Sequence, residues 1–107
     1  MTTRFPYTAV TSGGDAYEIR FPLHPETGSP ERVSDLLTAA LEAVSKGVET
    51  GTPVSDGDVL QALSMALAIR ARLLGVAPGA GLRLMHELIG SAYAAALEAR
   101  QYRTGRA

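Results

Sequence analysis

No cysteine occurs in the 107 residues. Disulfides, thiolate nucleophiles and zinc–thiolate sites are thereby excluded, and a reducing, cytoplasmic setting is expected. Lysine occurs once, as Lys46, beside nine arginines. A Schiff-base mechanism would rest on that one residue near a helix end, so none is expected. Charge of one sign is not in excess. The net charge is −1 and the sequence pI about 6.1, which gives neither a basic field for nucleic acid nor an acidic one for cations. Long hydrophobic runs are missing too. The most apolar stretch, Val59 to Leu74, is interrupted by Gln61, Ser64, Arg70 and Arg72, and it falls short of the roughly 18 residues that a bilayer span needs. Met1-Thr2-Thr3-Arg4-Phe5-Pro6 has no apolar segment of the secretory type, so neither a leader nor a membrane partner is expected.

What is present reads as a globular α+β chain, 46% apolar and 20% charged, of a length that fits one domain over residues 1–107. Residues 4–23 predict a two-stranded antiparallel hairpin. Tyr17, Ile19, Phe21 and Leu23 alternate with Glu18, Arg20 and Pro22, the period-2 pattern of a sheet with one wet face. Ser12-Gly13-Gly14-Asp15 supplies the turn, and Pro22 marks a sheet edge or the end of a strand. His24-Pro25-Glu26-Thr27-Gly28 departs from a sortase motif at its first residue and reads as a turn.

Three helices follow, over about 30–47, 55–74 and 80–102, with a frayed tail at 103–107. Ser29-Pro30 opens the first, with Val33, Leu36, Leu37, Ala40, Leu41 and Val44 on one face; Gly47 or Gly51 stops it. Ser55 and Asp58 form a capping box for the second, and Val54 and Val59 have the spacing of a hydrophobic staple. On this helix the apolar positions cover an arc of about 220° at 100° per residue, twice the stripe of a surface helix. Cover on two sides is therefore expected. Gly90 inside the third helix predicts a close helix crossing there.

Because an isolated hairpin is marginal in water and the second helix has more apolar surface than one neighbour hides, the chain is expected to form a homodimer. Two hairpins completing a four-stranded sheet, or a shared helical core, would serve; the alternative is a monomer with the hairpin laid across the helices. Interface candidates are Met65, Ile69, Arg70 and Leu73 on the second helix and Tyr17 and Ile19 on the hairpin. Arg70 sits near the middle of the apolar arc, where its stem reaches water near the helix end or its guanidinium meets a carboxylate across a subunit boundary.

Chemistry-bearing motifs are sparse. His86-Glu87-Leu88-Ile89-Gly90 starts as a zinc-protease helix does, but glycine stands where the second histidine belongs. His86 is expected to be a half-buried structural residue, and no metal or other cofactor is expected. Gly75 to Gly81 lacks the Lys-Ser/Thr of a phosphate loop. If a small anion or nucleotide binds, Gly79, Gly81, Arg83 and His86 are the candidates. Arg100, Arg103 and Arg106 with Tyr102 form a small basic tail that could touch a phosphate backbone.

Gly13-Gly14-Asp15-Ala16-Tyr17-Glu18-Ile19-Arg20-Phe21-Pro22, followed by a loop and an amphipathic helix, resembles the HicB-like antitoxin domain from Tyr7 through Val44, about a third of the chain. The resemblance implies a regulator associated with nucleic acid. Two features depart from it: Leu23-His24-Pro25 stands where Leu-Pro-Gly is expected, and no third strand or DNA-binding helical module is evident. The leading expectation is a small, non-enzymatic protein-interaction or regulatory domain, with residue usage of a GC-rich bacterial kind.

Overall fold

The computed structural model describes residues 4–11 and 13–103. Its elements are β1 (Arg4–Val10), β2 (Asp15–Pro22), α1 (Pro30–Glu49), α2 (Asp56–Arg72), α3 (Pro78–Leu97) and β3 (Arg100–Arg103). The chain is thus an α+β fold, a β-hairpin followed by three helices. Among the described residues no helix is long and apolar enough to cross a membrane. The chain divides into two units, Met1–Pro30 with Glu87–Ala107, and Glu31–His86.

In the first unit, β1 and β2 pair antiparallel from Arg4↔Pro22 to Val10↔Ala16. The turn closes through the Thr11 N–H on the Asp15 carbonyl at 2.8 Å and the Gly14 N–H on the Thr11 carbonyl at 3.1 Å. Gly14 takes φ +92°, a left-handed value open to glycine at little cost. Hydrogen-bonded pairs alternate along an antiparallel ladder. Counting from Thr11 and Asp15, Pro6 falls in a non-bonded pair, on the side where its missing N–H would face outward. β1 is an edge strand, the place where a proline is tolerated. Pro22 ends β2.

Two expectations are corrected here. The third helix stops at Leu97 instead of continuing to residue 102, and Arg100–Arg103 forms a third strand antiparallel to β2, from Asp15↔Arg103 to Glu18↔Arg100. Arg103, expected in the frayed tail, ends that strand; residues 104–107 lie outside the described residues. No glycine or proline marks the break. The open backbone edge of β2 supplies partners that local sequence cannot reveal. The sheet order is β1-β2-β3, so the β2 edge is occupied from within the chain from Asp15 to Glu18.

The face of the sheet that α3 approaches is also unexpected. Arg4, Glu18 and Arg20 on the polar face line a concavity together with Ala95 and Glu98 of α3. Ala16, on that same face, and Ala95 are the two buried hydrophobic residues among the described residues. Both are alanines, small enough for a helix to lie close. Phe5, Tyr7, Ala9, Tyr17, Ile19 and Phe21 share the opposite, apolar face and remain half-exposed. There Phe21 packs against Phe5 and Tyr7, with ring centroids 5.9 and 6.5 Å apart.

The second unit holds α1, α2 and the start of α3. α1 runs through Gly47, and the stop is Gly51 at φ +88°. The Thr50 N–H and hydroxyl both donate to the Lys46 carbonyl, satisfying one of the last-turn acceptors. α2 starts with the expected capping box: the Asp58 N–H donates to Ser55 Oγ, and the Ser55 N–H donates to Asp58 Oδ2, both at 3.1 Å. Gly75 at φ +77° follows its end. α3 begins on Pro78, where a missing N–H costs nothing. α1 and α2 contain no buried residue, so the two-sided cover expected of α2 is not provided.

Candidate interaction surface

α2 places opposite charges at its two ends. Asp56 and Asp58 lie in the first turn, and Arg70 and Arg72 in the last, each sign where the helix dipole favours it. Along α2 and at its C-cap, apolar side chains stand in water: Met65 is 56% exposed, Ile69 61% and the capping Leu73 68%. Arg70 is exposed and makes no ion pair among the described residues. Ser64 interrupts the apolar run without an unmet hydroxyl, because its Oγ donates to the Leu60 carbonyl at 2.9 Å.

Each end of α2 borders a concavity within the same unit. At the α1–α2 joint, Val44, Val48, Val54, Val59 and Leu63 enclose about 270 Å³. The proposed staple residues Val54 and Val59 therefore line one groove, which is open to solvent. At the α2–α3 joint a larger concavity of about 580 Å³ is lined by Ala68, Arg72, Val76, Gly81, Leu82 and Met85, among others.

Of the four residues named for an anion, Gly81 is buried and lines this second concavity; Arg83 and His86 are not among its lining residues. Gly79 and Gly81 both lie in the first turn of α3, with the Gly81 N–H donating to the Ala77 carbonyl at 3.0 Å. Arg83 sits one turn beyond Gly79, with its Nη1 about 3.7 Å from where a Gly79 Cβ would lie. His86 is exposed and not half-buried. Gly90, where a close crossing was expected, is exposed, and a Cβ built there meets nothing within 4 Å. His24 does sit in a turn, accepting from the Glu26 N–H at Nδ1 (3.1 Å) and, through its carbonyl, from the Thr27 N–H.

On the sheet, Tyr17 and Ile19 face the same side as Phe5, Tyr7 and Ala9. These three residues of β1 were missed as interface candidates, although their alternation with Pro6 and Thr8 was there to be read. Beyond α2, Leu82, Tyr93 and Leu97 of α3 are also largely exposed. The candidate surfaces, taken unit by unit, are thus apolar. Among the described residues no group of three histidine, aspartate or glutamate side chains stands close enough to hold a metal.

Comparison with known protein families, with curated proteins and with solved structures yields no match. The likeness of the hairpin to the HicB-like antitoxin domain therefore carries no family assignment.

Proposed function

We propose that the chain works through protein contacts, without catalysis, and that the first of these contacts is with a second copy of itself. The observation that carries this reading is its surface. Leu60, Met65 and Ile69 of α2, with Leu73 just past its end, are each more than half exposed, and neither α1 nor α2 contains a buried residue. Burying such side chains is what drives association. A net charge of −1 lets identical chains approach without strong mutual repulsion. Pro6 on the outer edge of β1 opposes pairing by strand addition, which favours contact through helix faces.

Sedimentation velocity over a wide concentration range tests this. The expected mass is twice 11.2 kDa down to low micromolar chain. A sharp boundary at the single-chain mass at every concentration overturns the reading.

A further inference from the structure

We infer that the second copy docks antiparallel along α2, with the two helices related by a two-fold axis near Ser64; this rests on the self-association proposed above and specifies its geometry. The residues of α2, together with its C-cap Leu73, whose backbone is still helical, fall into a heptad frame. Val59, Ala66 and Leu73 occupy a, and Ala62 and Ile69 occupy d. Asp56, Leu63 and Arg70 occupy e, and Asp58, Met65 and Arg72 occupy g. The a and d seam is apolar throughout and none of it is buried in the chain. Its flanks carry acid at one end, apolar side chains in the middle and base at the other.

In an antiparallel pair, e faces e′ and g faces g′. Asp56 then meets Arg70 of the second copy, and Asp58 meets Arg72. Leu63 meets Leu63, and Met65 meets Met65. Each acid lies two heptads, about 21 Å, from its arginine, so both pairs form twice under one two-fold axis. A parallel pair would gather four aspartates at one end and four arginines at the other, an arrangement disfavoured by like-charge repulsion. The same register brings Leu73 of the second copy level with Ser55, beside Val54 and Val59. Those two valines line the concavity of about 270 Å³ at the α1–α2 joint, which receives that leucine. The seam centre is built from Ala62 and Ala66, small enough for close approach, and Ser64 points away from it with its hydroxyl already bonded.

The test uses the full chain and its lack of cysteine. Met65→Cys and Ile69→Cys each introduce one thiol per chain, and each is treated with a short bis-maleimide. Antiparallel docking links Met65→Cys into a covalent dimer and leaves Ile69→Cys unlinked, since the two Ile69 positions then lie about 15 Å apart along the axis. Alongside, Arg70→Glu with Arg72→Glu raises the dimer Kd about tenfold or more, and the defect shrinks as salt rises. Linking at Ile69→Cys but not Met65→Cys, or an unchanged Kd in the arginine variant, overturns the antiparallel docking while leaving a dimer in place. A monomeric parent chain overturns both this docking and the self-association beneath it. If the arginine variant loses its helical circular dichroism, the cross-linking pair decides alone.

Discussion

Ile69→Ala separates a side chain that is merely exposed from one that waits for a partner. In the single chain Ile69 is 61% exposed, so truncation opens no cavity, and alanine is the better helix former by a few tenths of a kcal/mol. The folded chain should therefore keep its helicity. In the dimer the remaining surface is buried. Full burial of an isoleucine stabilises by about 1.5–3 kcal/mol, of which about 1–2 kcal/mol is still to be gained from this degree of exposure. The two-fold axis doubles that to about 2–4 kcal/mol per dimer, a rise in Kd of about 30- to 1,000-fold at 1.4 kcal/mol per decade. Sedimentation equilibrium measures the Kd, with far-ultraviolet circular dichroism on the same samples. A Kd within threefold of the parent, with helicity intact, refutes the placement of Ile69 in the interface. A loss of helicity at every concentration refutes the claim that the chain does not need this side chain to fold.

Four further outcomes follow from local geometry, each read as a shift in thermal or denaturant midpoint unless stated. Ser55→Ala removes the acceptor for the Asp58 N–H and should destabilise by about 1 kcal/mol, whereas Ser55→Gly should cost only a few tenths; equal effects would mean the capping box contributes nothing. Gly90→Ala should stabilise by about 0.5–1 kcal/mol, because the new Cβ meets nothing within 4 Å; a weakened dimer instead would place Gly90 at a contact between copies. Gly75→Ala should destabilise by about 1–2 kcal/mol, since φ there is +77°; a neutral result would show that the α2–α3 link relaxes freely. Pro6→Thr restores an outward N–H on β1 and should promote concentration-dependent association beyond the dimer; an unchanged mass distribution by light scattering would remove Pro6 as an edge guard.

Much of the fold was legible because its signals are local. The period-2 alternation from Tyr17 to Phe21 gave the strand and its faces. Ser55 with Asp58 gave the start of α2, and Ser29-Pro30 the start of α1. β3 was not legible. Ala96 and Leu97 continue a helical pattern, and the reason to leave it is the unpaired edge of β2, nearly the whole chain away. The exposure of His86 and Gly90 was not legible for a related reason: burial depends on residues far away in the chain, and the helical pattern around these two does not carry it. The candidate interaction surface was read in part. The wide apolar arc of α2 drew attention to Met65, Ile69, Arg70 and Leu73, while the apolar face of β1 went unread.

By itself the sequence determined the hairpin, the three helices and which of their sides are apolar, since caps, glycine stops and periodicity act between residues a few positions apart. Tertiary structure alone decided which surfaces are covered. It set Ala95 of α3 near the polar face of the sheet, added Arg100–Arg103 to the edge of β2 and left the seam of α2 in water. The physical reason is that burial depends on which elements meet in space, and no local pattern of side chains carries that information.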